Sequence, residues 1–250
     1  MHKALLLRQP RRNYLTVVAA TIVFLAPFAA HAGNDYVIYS PRVVQGQSEV
    51  EARGFYNQDG DPAQDGKSEY DFSAAHSFTS WWKAEIYFIK GARDPGATNK
   101  LRGYEFENTF QLAPPGKYFV TPGFLFSYEA TTQTGSPNEI EYGPLFERQD
   151  GRFTQRLNMI FEREVGGGAA TKTEFRTAYS LSYRHTALLQ PTVEVYLRPD
   201  DDSYQLGPVL HGELYTHNGA EIEYNLGAVF GANRAAPDVT WIARFEYEFF

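Results

Sequence analysis

Acidic side chains recur at every second position along much of the sequence, as in Glu105 and Glu107 or Glu246 and Glu248. Residues two apart in an extended strand point to the same side, so these carboxylates share one face. About twenty acids fall in this phase, against seven bases. Carboxylates grouped in this way can bind cations, take up protons, or pair with Lys and Arg.

The excess of acid over base on this face separates two interpretations. Acids and bases on adjacent strands could form neutralising ladders, because opposite charges attract across strands and unpaired buried charges are costly. The bases are too few for every acid, so the other acids must meet water, cations or protons. We therefore predict an acid-lined interior that favours cations or neutral solutes over anions. The residues predicted to line it are Glu85, Glu105, Glu107, Arg156, Glu162, Glu174, Arg176, His211, Glu213, Glu221, Glu223, Arg244 and Glu246.

Large aromatic residues in the same phase suggest a narrower interior. If they point inward, only water and small ions would pass. The residues in question are Trp81, Tyr87, Phe119, Tyr196 and Tyr215.

Other kinds of chemistry find little support in the sequence. The chain has no Cys, which excludes thiol catalysis and thiolate metal sites, and its net charge of −7 argues against nucleic-acid binding. His211 and Glu213 share a face, but no Ser lies in a nucleophile motif beside them, and neither Gly-x-Ser-x-Gly nor His-Glu-x-x-His occurs. The loop from Asn57 to Gly66 has a calcium-loop composition, but Pro62 stands where such a turn requires Gly. We expect no catalytic residue, no cofactor and no metal site.

The elements that carry the acids are strands with two unlike faces. In the last one, Trp241, Phe245, Tyr247 and Phe249 alternate with charged residues, while Ile242 breaks the pattern. Twelve such segments are predicted: 47–57, 67–77, 80–90, 101–112, 117–129, 138–147, 152–164, 172–184, 191–198, 203–215, 220–230 and 239–250.

The connections between these segments predict how the strands are joined. Longer connections alternate with tighter ones such as Ala113–Gly116 and Arg148–Gly151, which is typical of an up-and-down barrel with unlike ends. A soluble barrel or sandwich would also alternate, but twelve strands enclose a lumen too wide for one layer of Phe and Tyr to fill. We therefore predict an all-β, transmembrane, antiparallel up-and-down β-barrel with about 12 strands, spanning 47–250, and a C-terminus in the periplasm.

The N-terminus carries a targeting pattern. Residues 1–32 combine four bases and no acid with an apolar run that ends at Ala30-His31-Ala32, so we predict a cleaved signal peptide with Gly33 as the new N-terminus. Residues 33–46 are either a disordered leader or a small plug in the lumen.

The C-terminal stretch from Arg244 to Phe250 resembles the terminal strand of bacterial outer-membrane β-barrels. In that group, alternating aromatics before a terminal Phe form the assembly signal, which here implies Trp241, Phe245, Tyr247, Phe249 and Phe250. The alternation counts from Phe249, so Phe250 lies out of phase. The resemblance implies the outer membrane as location, and as partners its lipid and lipopolysaccharide, the barrel-assembly machinery and a small-molecule solute.

A more diffuse resemblance extends over most of the chain after residue 32. The stretches Gly103–Leu112, Pro115–Tyr118, Glu141–Leu145 and Gly227–Gly231 are similar to the outer-membrane transporter family named for the meta-pathway of phenol degradation. Together with the acidic face, this resemblance implies a narrow channel or transporter for small solutes. The alternatives are a non-conducting structural barrel and, third, an outer-membrane enzyme.

Overall fold

The computed structural model describes residues 36–216 and 219–250 of the chain. The predicted signal peptide at 1–32 and its cleavage site at Gly33 lie outside this part. Within it, the structure contains no helix with the length and apolar character needed to cross a membrane.

Twelve antiparallel strands close into one barrel, which confirms the predicted fold class. Each strand pairs with its neighbours in sequence, and the last pairs with the first from Ser48↔Phe249 to Gln58↔Val239. The strands are β1 Ser48–Gln58, β2 Ser68–Ser77, β3 Trp82–Arg93, β4 Lys100–Gln111, β5 Thr121–Thr131, β6 Asn138–Asp150, β7 Phe153–Val165, β8 Thr173–Tyr183, β9 Gln190–Arg198, β10 Ser203–Tyr215, β11 Glu221–Gly231 and β12 Val239–Phe249.

The two-residue period separates the two faces of the barrel wall. On β1, Glu49, Glu51 and Arg53 are buried, whereas Val50 and Tyr56 are exposed. The same contrast of buried acid and exposed aromatic recurs on β4 and β12. The charged face therefore points into the lumen and the apolar face points outward.

The predicted alternation of long and short connections holds only in part. We call the end that holds Ser48 and Phe249 the terminal end, and the other the loop end. Connections have four, nine, two, six and five residues at the terminal end, and nine, six, six, seven, four and seven at the loop end. The alternation fails between β4 and β5, because β5 begins at Thr121 rather than 117, and between β9 and β10, where a connection predicted to be long has four residues.

The residues before Thr121 turn instead of extending. Lys117 N–H donates to the carbonyl of Pro114, and Gly116 has a positive φ of 78°. Proline and left-handed glycine favour such a turn over a strand. Phe119 consequently lies outside the barrel wall and is exposed, with the Arg148 guanidinium 3.8 Å above its ring.

An irregularity in β3 changes which residues face inward. Register with β2 shifts between Phe72 and Ser73, and Phe88 and Ile89 are both exposed. Tyr87 before this β-bulge and Lys90 after it are both buried. The bulge thus reverses the phase of the strand, and Lys90 enters the lumen.

The chain before β1 lies inside the barrel. Val37, Ile38 and Tyr39 are buried, and they pack against two groups of inward apolar side chains from the wall. One group contains Leu125, Leu145 and Ile160; the other contains Ala178, Tyr196, Val229 and Ile242. Ile242, the exception in the sequence pattern, faces the lumen because it forms part of this apolar layer.

Glycine is required where β6 and β7 approach closely. A Cβ added at Gly143 would lie 1.9 Å from the carbonyl oxygen of Met159 on the neighbouring strand. We expect Gly143→Ala to lower the free energy of unfolding by about 1–3 kcal/mol, because the strands must separate to admit the methyl group. Urea unfolding in detergent or lipid vesicles measures the effect.

Gly167→Ala is the matched control for this prediction. It lies in a loop with nothing within 4 Å of the added atom and no positive φ, so its effect should stay within about 0.5 kcal/mol. Equal stability of the two variants would contradict the close approach.

Candidate functional site

The barrel register places acidic residues directly opposite each other inside the lumen. Glu105 pairs with Glu129 across β4 and β5, and Glu141 pairs with Glu162 across β6 and β7. The β1 and β12 register pairs Glu51 with Glu246 in the same way. Like charges in these positions repel each other at short range, so each pair needs a compensating group.

A cation from a nearby position compensates each of these three pairs. The Lys90 ammonium binds both Glu105 and Glu129, with Nζ 2.5 Å from Glu129 Oε2. The predicted neutralising ladders occur where Arg53 lies opposite Asp71 and Arg156 lies opposite Glu147. In the three pairs described here, by contrast, the residues directly opposite carry the same charge and a base joins them.

The other two pairs are joined by arginine. Arg176 on β8 binds Glu162 and, through Nη2 at 2.5 Å, Glu141. Arg244 on β12 binds Glu51 and lies 2.5 Å from Glu246 Oε2. A planar guanidinium with several donors can serve two carboxylates at once, which suits these bridging positions.

Lys90 and Arg102 are lumen bases that the two-residue alternation did not predict, because the backbone is irregular near both. Lys90 is out of phase with Glu85 on β3 until the bulge at Phe88 and Ile89 is taken into account. Arg102 lies where the β3–β4 register shifts, and its Nη1 contacts Glu69 at 2.5 Å. The one sequence signal was the consecutive pair of large apolar residues at 88 and 89, which breaks the alternation.

Residues 36–46, which the structure places inside the barrel and at its terminal mouth, are held by polar wall residues; we call them the lumen segment. The Tyr39 N–H donates to Asn158 Oδ1 at 2.6 Å, and Asn158 Nδ2 donates to the Tyr39 carbonyl at 3.0 Å. Asn158 is itself buried, so this pair of bonds satisfies polar groups on both sides.

Further bonds fix the lumen segment along its length. The Tyr36 hydroxyl donates to Gln205 at 2.7 Å, and Ser40 donates to Glu147 at 3.0 Å. Val43 N–H donates to Gln111 at 3.0 Å, near the terminal end. The segment therefore occupies the middle of the lumen and leaves it through the terminal mouth.

A cavity of about 280 Å³ remains between the lumen segment and the terminal mouth. Its lining contains eight acids against five Lys and Arg, so acidic side chains outnumber basic ones. Eight of the predicted lining residues border it: Glu85, Glu107, Arg156, His211, Glu213, Glu223, Arg244 and Glu246.

The other predicted lining residues lie elsewhere on the inward face. Glu105, Glu162 and Arg176 belong to the ion-paired region nearer the loop end. Glu221 begins β11 at the terminal end. Of the five aromatics expected to narrow the lumen, Tyr87 and Tyr196 are buried inside, whereas Trp81, Phe119 and Tyr215 are exposed.

Glu174 lies close to the loop end beside an acidic turn. Its carboxylate is 3.5 Å from Lys172 Nζ, which also lies 3.0 Å from Asp200. The Phe175 N–H donates to Asp200 at 2.7 Å, and this bond, followed by Lys172, lowers the pKa of the Asp200 carboxyl. These acids thus have local partners at the rim.

His211 has a different partner from the one its sequence spacing suggested. Its Nε2 lies 2.9 Å from Glu194 on the adjacent strand, while Glu213 accepts hydrogen bonds from Arg184, Gln190 and Tyr215. This places the imidazole against a carboxylate on β9 rather than beside its own near neighbour.

Two groups of acids bring their oxygens within 4.8 Å of one another, as a metal ion would require: Glu49, Glu246 and Glu248, and Glu213, Glu221 and Glu223. In the first group, Lys83 binds Glu49 at 2.7 Å and Arg244 binds Glu246. In the second, Arg184 binds Glu213 at 2.6 Å. Lys and Arg side chains therefore already pair with acids in both groups, and we assign a metal site to neither.

The proposed assembly residues lie on the outer surface of β12. Trp241, Phe245, Tyr247 and Phe249 are exposed, and Phe250 follows the strand with most of its side chain exposed. The sequence matches no protein-family model and no curated protein. The resemblance to one transporter family therefore stays a prediction, while the twelve-stranded antiparallel barrel is consistent with an outer-membrane barrel.

The cation between Glu105 and Glu129 should be essential for stability. Lys90 is 2% exposed, and Lys90→Met leaves two facing carboxylates buried without their partner. We expect a loss of about 3–5 kcal/mol in the free energy of unfolding, measured by urea titration.

Lys100→Met serves as the control, because Lys100 and Asp94 form an exposed ion pair at 2.6 Å. Its loss should cost less than about 1 kcal/mol. Adding Glu105→Gln to Lys90→Met should recover part of the stability, since one of the facing charges disappears. Similar costs for the two lysine variants would contradict the role assigned to Lys90.

Proposed function

We propose that this protein is a narrow outer-membrane channel for small solutes, closed at rest by the lumen segment. The supporting observation is the combination of a carboxylate-rich inward face with a polypeptide segment bound across the lumen. An acid-lined path favours cations and neutral solutes over anions. The polar contacts of the segment include individual side-chain hydrogen bonds, which can be exchanged for water when it moves.

The outer surface supports the membrane location. Exposed Val50, Phe126, Leu181, Leu206 and Trp241 come from β1, β5, β8, β10 and β12, which are distributed around the barrel. A closed barrel leaves no unpaired strand edge in lipid, and aromatic side chains suit the interface with water. On this proposal, outer-membrane lipid and lipopolysaccharide surround the wall, the barrel-assembly machinery inserts it, and its role is passive and without catalysis.

A non-conducting structural barrel is the second candidate. Two features favour it: the lumen segment with its apolar layer, and the Lys90, Arg176 and Arg244 bridges, which together occupy much of the interior. Such packing would rigidify the barrel without requiring passage. The two candidates differ in whether the lumen segment can leave.

Reversible fixation of the lumen segment separates the two candidates. The chain has no native Cys, and Val37 and Leu145 pack in the same apolar cluster, so the double variant Val37→Cys/Leu145→Cys offers one engineered disulfide. In planar bilayers, we expect no channel opening from the oxidised variant, and openings after reduction that resemble those of the wild type. Deleting residues 36–43 should raise conductance at least tenfold and give a cation-selective reversal potential in a salt gradient.

The single variant Val37→Cys, treated with the same oxidant, controls for effects of the reagent. An unchanged, negligible conductance after deletion of 36–43 would contradict the channel and favour the structural barrel. An anion-selective reversal potential would contradict the role of the carboxylates. Heat-dependent mobility in gels verifies that each variant is a folded barrel.

A further inference from the structure

Among the described residues, not every facing pair of carboxylates has a protein cation. Glu85 on β3 lies directly opposite Glu107 on β4, in the same relation as Glu105 and Glu129. Among the described residues, neither Glu85 nor Glu107 takes part in an ion pair. Ser73 donates a hydrogen bond to Glu85 Oε1, and this is a neutral partner.

Glu107 is the member of the pair with fewer polar contacts. Its side chain is 1% exposed, and its Oε2 is buried with no hydrogen-bond partner in the described part of the chain. A carboxylate in this position needs either a proton or a cation, because two facing charges cannot both stay uncompensated. The nearest bases already serve other groups, since Lys83 binds Glu49 and Arg53 contacts Glu51 and Asp71.

The pair borders the cavity that lies towards the terminal mouth. Both Glu85 and Glu107 line the 280 Å³ cavity, together with Tyr87, Thr109 and Tyr39 of the lumen segment. The same cavity has more acidic than basic side chains along its wall, so its potential attracts cations. The carboxylate pair therefore lies next to open volume and lacks the bridging Lys or Arg that the other facing pairs described above have.

We propose that Glu85 and Glu107 bind the ammonium group of a small primary amine. The chain itself provides the precedent, because the Lys90 ammonium bridges Glu105 and Glu129, a facing pair across β4 and β5 whose Glu105 lies two residues from Glu107 on β4. An R–NH₃⁺ group has three donors, which can serve both carboxylates and a further acceptor such as the Thr109 hydroxyl. The alkyl part would extend into the cavity toward the terminal mouth. This proposal rests on the proposed function only in placing the cavity on a solute path.

Binding of butylammonium to the full chain in detergent micelles, measured by calorimetry at neutral pH, tests the proposal. We expect saturable binding of one amine per chain. Glu107→Gln and Glu85→Gln should each weaken it at least tenfold. Tetramethylammonium, a cation without N–H donors, should also bind at least tenfold more weakly.

Glu139→Gln is the matched control. Glu139 is likewise buried and has an unpartnered Oε1, but it does not line the cavity. Its replacement should leave butylammonium affinity within twofold of the wild type. Gel mobility before and after heating shows that each variant is folded, and Glu85→Gln provides a second test if Glu107→Gln fails to fold.

Three results would overturn the proposal. The first is no saturable binding of butylammonium to the wild type, as expected if the pair merely shares a proton. The second is an equal loss of affinity in Glu139→Gln, and the third is equal binding of tetramethylammonium. Binding without conductance would retain the amine site and reject the channel, whereas conductance without binding would do the reverse.

Discussion

The interior of this barrel depends on the compensation of carboxylates that face each other across neighbouring strands. An antiparallel register aligns Glu105 with Glu129 and Glu141 with Glu162, and their burial makes the repulsion costly. Lys90 and Arg176 relieve it by bridging the two members of a pair. The geometry of the wall contributes to this compensation, because the β3 bulge brings Lys90 into the lumen.

The second constraint is volume. Twelve strands enclose more space than one layer of wall side chains can fill, and the lumen segment supplies the missing material. Its apolar residues Val37 and Ile38 complete the layer around Leu145 and Val229, while Asn158 accepts and donates the backbone bonds that an extended segment would otherwise lack. Buried polar groups and apolar packing thus hold the segment together.

The remaining open volume adjoins both features. Tyr39 of the lumen segment borders the same cavity as Glu107, so an occupant of the cavity would lie against the segment that fills the centre of the barrel. A cation placed there would offset the excess of acidic side chains in the lining and would lie beside the lumen segment. The acid-rich lining and the lumen segment therefore border the same open volume.

The sequence by itself determined the barrel, its twelve strands and the inward phase of nearly every acid, because a period of two is a local property of extended chain. It also singled out residues 33–46, without deciding between leader and plug. Only the tertiary structure decided which side chains form ion pairs and hydrogen bonds with each other inside the barrel. Lys90 was missed because one bulge reverses the phase of β3, the turn before Thr121 was mistaken for strand, and His211 meets Glu194 across strands rather than Glu213 along its own. Charge pairing in a barrel is set by strand register and by bulges. A shift of one residue moves a side chain from the lumen to the outer surface.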